Sequence, residues 1–279
     1  MAHIGFLGAG RMGRPMMQRL IAAGHTVRVH YRFDWEKEDF TEQGAEVTTD
    51  IADLPRGADA VVVNLFSDDQ VRELVLAPGG LVDSVAPGTI VILHTTSSPR
   101  TSELIEARLA EVGALYVDAA VSGGPHDIAA GEITLFVGGG DEAWAKAERL
   151  LQAYGNPIFH LGPVGTGMKV KLLNNAAFGA HVGVVSVLSD LARKLDLDEK
   201  TLYEAMSHGS GNSAVIGMVK RGGSAQAFSE STAEFVDKDV HTAQRLLGDL
   251  DASLEPFATL YQAGRDIRRP DPEATTGQR

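Results

Sequence analysis

Residues 8–13 read Gly-Ala-Gly-Arg-Met-Gly, and no other stretch restricts the fold of the chain as strongly. The apolar run His3 to Leu7 precedes them and an amphipathic stretch to Ala23 follows, so the glycines fall where a strand turns into a helix. Gly8 permits the tight turn. Gly10 lets the backbone approach a pyrophosphate, and Gly13 lets the helix pack closely on the strand. The free N–H groups at the helix N-terminus then meet the phosphates, with Arg11 and Met12 in the same loop. Placed between strand and helix, the pattern reads as a dinucleotide-binding turn; the plainer alternative is a glycine turn with no ligand.

The rest of the first half fits that start. Thr26 to Tyr31, Ala58 to Leu65, Thr89 to Leu93, Leu115 to Asp118 and Thr134 to Val137 are short apolar runs, separated by helical stretches such as Glu36 to Gln43. Apolar runs alternating with helices predict a parallel sheet covered on both faces. The texture changes after Gly162, where strand signals stop. A long helical pattern from Met168 to Leu195 follows, then shorter ones at Glu199 to Met206, Ser231 to Leu247 and Pro256 to Arg265. The predicted architecture is α/β: a Rossmann-type domain over 1–162, a long inter-domain helix, an all-α domain over 163–269, and a polar tail over 270–279 expected to be disordered.

The end of the second strand selects the cofactor. An acidic residue there would bind a ribose 2′-hydroxyl, and an Arg would accept a 2′-phosphate. Tyr31 stands at the acidic position and Arg32 follows, which predicts NADP over NAD; Asp34, two residues on, is the complication, and a solvated surface arginine is the plain reading of Arg32.

Composition bounds the partners. A net charge of −12 disfavours nucleic acid and anionic membranes. The absence of cysteine excludes disulfides and thiolate chemistry and fits a reducing, cytoplasmic compartment. No basic region leading into an apolar core opens the sequence, so no signal peptide is expected. The longest apolar stretch, Ala176 to Leu188, is short for a membrane span.

Two segments carry chemistry. Asp118-Ala119-Ala120-Val121-Ser122-Gly123-Gly124-Pro125 is read as a turn after a strand, where the Ser122 hydroxyl and the N–H groups of Gly123 and Gly124 can hold a carboxylate; it can equally be a plain glycine turn. In Gly165-Thr166-Gly167-Met168-Lys169-Val170-Lys171-Leu172-Leu173-Asn174-Asn175, Lys171 and Asn175 share one helix face, one turn apart. A lysine whose stem packs and whose head reaches water is the bland alternative. His126 is expected at a pocket mouth and His94 in packing, and no metal cluster is expected.

GFLGAGRMGRPM, DAAVSGGP, GTGMKVKLLNN and Lys238-Asp239, in that order, resemble the β-hydroxyacid dehydrogenase family, which includes 3-hydroxyisobutyrate dehydrogenase and is related to 6-phosphogluconate dehydrogenase. The resemblance spans residues 1 to about 245 and implies hydride transfer between NAD(P) and a small carboxylate-bearing substrate, in a homodimer or homotetramer. It implies Lys171 as general acid/base, Asn175 as its substrate-orienting partner, and Ser122, Gly123 and Gly124 as the carboxylate loop. Lys238 resembles the lysine near the nicotinamide, with Asp239 beside it, and Thr96 resembles a residue lining the nicotinamide ribose. Leu65 matches the leucine of the family's Leu-Pro turn, with Phe66 in the proline's place, and Ser231 stands where a pocket phenylalanine is usual. The last helices also read as short and irregular for the family. An imine-reductase-like enzyme is the near rival, though that group generally lacks the lysine and the Ser-Gly-Gly loop; a non-catalytic NADP-binding protein is the distant one.

Overall fold

The computed structural model describes residues 1–248 and 255–268, without the side chains of 229–236, 239 and 263–268. Two compact units partition it, Met1–Lys171 and Leu172–Arg279.

The first unit runs β1 (His3–Leu7), α1 (Gly13–Ala22), β2 (Thr26–His30), α2 (Asp34–Glu42), β3 (Glu46–Thr48), β4 (Ala60–Val63), α3 (Asp68–Val71), β5 (Ile90–Leu93), α4 (Pro99–Glu111), β6 (Leu115–Ser122), α5 (Pro125–Ala130), β7 (Ile133–Gly138), α6 (Asp141–Leu151) and β8 (Gly155–His160). It ends in the first turns of α7 (Thr166–Lys194). The strands form one sheet in the order β3-β2-β1-β4-β5-β6-β7-β8. β4 and β5 read AVVV and IVIL and are buried at every position, as central parallel strands must be. Side chains alternate between two cores. Phe6, Val62, Ile92 and Val117 enter one, and Leu7, Val63, Leu93 and Tyr116 the other. Each such aliphatic or aromatic side chain contributes about 1.5–3 kcal/mol by leaving water.

One pair departs from the expected parallel sheet: β6 and β7 are antiparallel, with Ser122 opposite Thr134. The connection over 123–132 carries only the six-residue α5, too short for a crossover that returns a strand in the same direction. β6 also runs on to Ser122, so Asp118 to Ser122 are strand and the loop begins at Gly123. β3 and β8 were not among the expected strands. β8 is an edge strand that tolerates Pro157, which a central strand would not.

The second unit continues α7 and adds α8 (Glu199–Met206), α9 (Ala214–Gly222), α10 (Ala225–Gly248) and α11 (Glu255–Arg268). Ser213 caps α9, its hydroxyl accepting the Ile216 N–H at 3.3 Å. α10 has 24 residues, so the helices near the C-terminus are longer than expected. Small residues let α7 pack at close range: a Cβ on Gly183 would fall 2.1 Å from the Leu260 carbonyl of α11, and one on Gly179 would fall 2.4 Å from Val240 of α10. Leu172 and Ala176 of α7 join Ala243, Leu246 and Leu247 of α10 in a small core.

Candidate active site

The sheet register brings the candidate residues of the first unit to one edge. Leu7 pairs with Val63, Val63 with Leu93, and Leu93 with Asp118, so a single rung crosses β1, β4, β5 and β6. Gly8 is one residue beyond that rung, Leu65 and Phe66 two and three beyond it, and Thr96 three beyond it. Tyr31 and Arg32 follow β2 at the same end, because Phe6 pairs with Val29. In open parallel sheets, ligands bind outside these carboxyl ends.

The three glycines of the turn differ in what surrounds them. Gly8 takes φ +97°, and a Cβ there would fall 2.3 Å from the Asn64 carbonyl. A Cβ on Gly13 would fall 2.2 Å from the Gly8 carbonyl, so this glycine serves packing. Nothing lies within 4 Å of where a Cβ on Gly10 would stand, leaving an open cradle above the turn. Helix α1 starts at Gly13 after Met12, with no side-chain cap and no acidic residue in its first turn. An N-terminus so arranged offers uncapped N–H donors and suits an anion. Arg11 is exposed beside it. The residues present thus fit a dinucleotide.

At the end of β2, Arg32 is exposed and its guanidinium lies 5.6 Å from the Phe33 ring, which stacks on Trp35. Glu36 turns back and accepts the N–H groups of Arg32 and Phe33 at 2.8 and 3.1 Å, closing the turn into α2. At the end of β4, the Leu65 N–H donates to the buried Thr95 hydroxyl at 2.7 Å, while Phe66 is 63% exposed. Thr96 is half-buried at the rim.

Ser122 is half-buried at the end of β6, and Gly123 takes φ +131°. The Gly124 N–H does not face outward: it donates to the Asp127 carboxylate at 2.7 Å, closing the first turn of α5. Of the three donors expected there, one is therefore already engaged within the protein. His126 is exposed beside this loop and pairs with Asp127 at 3.1 Å. Lys171 is buried, at 8% exposed, two turns into α7. A lysine this far from water is costly unless it is used or paired.

Two matches fix the lineage. Residues 3–162 match the NAD-binding domain of 6-phosphogluconate dehydrogenase, and residues 165–271 match the NAD-binding domain model of NADP-dependent 3-hydroxyisobutyrate dehydrogenase. The chain belongs to the β-hydroxyacid dehydrogenase family. It is an NAD(P)-dependent dehydrogenase acting on CH–OH groups. An NAD-dependent L-serine dehydrogenase of Pseudomonas aeruginosa is 32% identical over 93% of this chain and 90% of its own length. A 3-hydroxyisobutyrate dehydrogenase of the same organism is 34% identical over 78% of this chain and 73% of its own. Among solved structures, the Mycobacterium tuberculosis 3-hydroxyisobutyrate dehydrogenase with L-serine superposes with a TM-score of 0.84 at 24% identity, covering 96% of this chain and 94% of that one. It shares the fold.

In the second unit of this dehydrogenase, Asn175 is buried at 3% exposed, and its Nδ2 has no hydrogen-bond partner among the described residues. Leaving a buried donor unpaired normally costs about 1–3 kcal/mol. Lys238 is half-buried on α10. The side chains of Ser231 and Asp239 lie outside the described residues.

His94 is a packing residue with a defined network. It is buried, its Nδ1 is 2.5 Å from the Ala119 carbonyl and its Nε2 2.8 Å from the Tyr154 hydroxyl. Burial pushes its pKa down to about 4, against the hydrogen bond to Ala119. The folded state therefore binds fewer protons than the unfolded chain below pH 6.5, and this contribution is lost as pH falls from 6.5 to 4. The loss is roughly 3 kcal/mol at 1.36 per pH unit. In urea unfolding, the stability gap between wild type and His94→Gln should narrow by about that amount from pH 7 to pH 4; a gap independent of pH would show that His94 titrates normally.

Proposed function

We propose that the chain is an NADP-dependent oxidoreductase interconverting a small β-hydroxyacid and its aldehyde or keto acid, with Lys171 as general acid/base. One observation carries this reading: a single rung of the sheet brings the phosphate turn, the β4 and β5 ends and the strand leading to Ser122 to one edge. Gly8, Gly10, Arg11, Met12 and Gly13 would hold the pyrophosphate, and Leu65, Phe66 and Thr96 would line the cofactor beyond it. The bound nicotinamide supplies or accepts the hydride. In the reductive direction Lys171 donates a proton to the oxygen that becomes the hydroxyl; in the oxidative direction its neutral amine takes that proton back. Ser122 and Gly123 orient the substrate carboxylate. The family resemblance adds Asn175, Lys238, Ser231 and Asp239 to the site.

Preference for NADP rests on Arg32. No ion pair engages its guanidinium among the described residues, and Tyr31 stands where a carboxylate would select the ribose hydroxyl. The nearby Glu36 is committed to backbone donors. The serine dehydrogenase relative carries NAD in its name, so the test must separate the two cofactors. Arg32→Ala should raise KM for NADPH by about 10-fold or more, the worth of a charge-assisted phosphate contact, and leave NADH within about 2-fold. Equal effects on both would remove the case for NADP.

A homodimer or homotetramer is supported by α7. Leu173, Ala177, His181, Val184, Leu188 and Leu191 recur at helical spacing, and Leu173, Val184 and Leu191 are 57%, 36% and 46% exposed. α7 is the one helix among the described residues long and apolar enough to cross a membrane, but half of that stretch is buried, as in core helices. A second copy of the chain is the occupant proposed for the open face. A sedimentation mass of one 29.6 kDa chain would remove this part. A cytoplasmic location rests on the lack of cysteine alone.

A further inference from the structure

Asp118 is fully buried at the far end of the rung described above. Its Oδ1 accepts the Gly165 N–H at 2.6 Å and its Oδ2 the Met168 N–H at 2.8 Å. One carboxylate therefore binds the turn before α7 and the first turn of α7, three residues ahead of Lys171. The pocket around it leaves no slack. A Cβ on Gly138 would fall 2.5 Å from Oδ1, and one on Gly167 2.8 Å from Oδ2 and 2.3 Å from the Phe136 carbonyl. Two glycines, one on β7 and one on α7, thus close over a single buried anion. Helix N-termini favour negative charge, but a surface cap would serve that purpose without the desolvation. What burial adds is a fixed distance between the strand that ends in Ser122 and the helix turn that carries Lys171.

We propose that Asp118 is a positioning residue for Lys171: its carboxylate locks the first turn of α7 onto β6 and so sets where the ammonium stands. The inference rests on Lys171 being the acid/base group. Asp118 touches no substrate in this scheme and acts only through the helix. Burial raises its pKa to about 6, opposed by the Gly165 and Met168 hydrogen bonds and by Lys169 on α7; the other titratable neighbour is Tyr116 on β6, itself pushed up by burial and by Asp118. Protonation relieves the desolvation but places a hydroxyl where an N–H donor points. Because the carboxyl holds its proton more tightly when buried than in water, opening becomes rarer as pH falls through about 6, while the protonated form, one acceptor short, no longer sets the turn in the same place.

Two measurements test this. Hydrogen–deuterium exchange of the wild-type apoenzyme, corrected for intrinsic rates, should show the peptide 163–172 opening several-fold less at pH 5 than at pH 8, with the 3–13 peptide unchanged. Exchange independent of pH would overturn the lock. The second compares Asp118→Asn with Lys171→Ala and wild type, following NADPH oxidation with glyoxylate and with succinic semialdehyde. In this direction Lys171 must be protonated, so it contributes no acid limb. Wild-type kcat should fall below pH 6. Asp118→Asn keeps the volume but sets an amide against an N–H, and should lower kcat about 10-fold or more with the NADPH dissociation constant within about 3-fold. Its kcat should be flat across pH 6. A normal kcat, or an acid limb that persists in Asp118→Asn, rejects the positioning role while a dead Lys171→Ala leaves the acid/base reading standing. Normal turnover by Lys171→Ala means that the acid/base reading itself has failed.

Discussion

Lys171→Ala should lower turnover by about 100-fold or more while NADPH still binds, because a positioned acid/base group is typically worth 100- to 10,000-fold. The expectation follows from where the residue stands. Lys171 is 8% exposed on α7, and burying a cationic side chain in an otherwise apolar stretch is costly. If its role were only to pack its stem, Lys171→Met would retain turnover, since methionine matches most of that volume. The acid/base role predicts that methionine is as inactive as alanine and more stable. Steady-state kinetics with unfolding midpoints on both variants separate these outcomes.

Gly8→Ala and Gly10→Ala should fail in opposite ways. At Gly8 an added methyl meets the Asn64 carbonyl at 2.3 Å on a backbone with φ +97°. Positive φ costs roughly 1–2 kcal/mol for a residue with a side chain, and the overlap another 1–3. A total near 3 kcal/mol should lower the melting temperature by about 6–12 °C. At Gly10 the methyl meets nothing within 4 Å, so stability should be unchanged or slightly higher. With the cofactor's pyrophosphate proposed to approach through that open space, affinity for NADPH should drop at least about 10-fold, near 1.4 kcal/mol. Unfolding and fluorescence titration of the two variants check this. Loss of stability at Gly10 with intact binding would reverse the roles given to the two glycines.

The central strands were legible because burial on both faces demands unbroken apolar runs, which Val61-Val62-Val63 and Ile90 to Leu93 supply. The phosphate turn was legible because three glycines serve three separate steric needs. The antiparallel step at β6 and β7 was not, since it depends on how little chain joins them rather than on the strands' own residues. β8 was hidden by Pro157, tolerated only because the strand lies at an edge. Asp127 and Asp118 show a different limit. Each is a lone carboxylate whose role depends on which backbone N–H groups the fold brings within 3 Å, and no periodicity encodes that. Asp127 takes one of the donors that the Ser-Gly-Gly loop was expected to offer a substrate. A buried, unpartnered Asn175 Nδ2 likewise emerges only from packing, although its spacing from Lys171 was visible at once.

The central claim is that Lys171 exchanges a proton with the oxygen on the carbon that gives or receives hydride. A crystal structure of the enzyme with NADP and a bound hydroxy acid, such as L-serine or 3-hydroxyisobutyrate, tests it most directly. The Lys171 Nζ should lie within hydrogen-bond reach of the substrate hydroxyl, about 2.6–3.2 Å, with the substrate carbon facing the nicotinamide ring. A productive complex in which another side chain holds that hydroxyl, with the Lys171 Nζ well beyond reach, would contradict it.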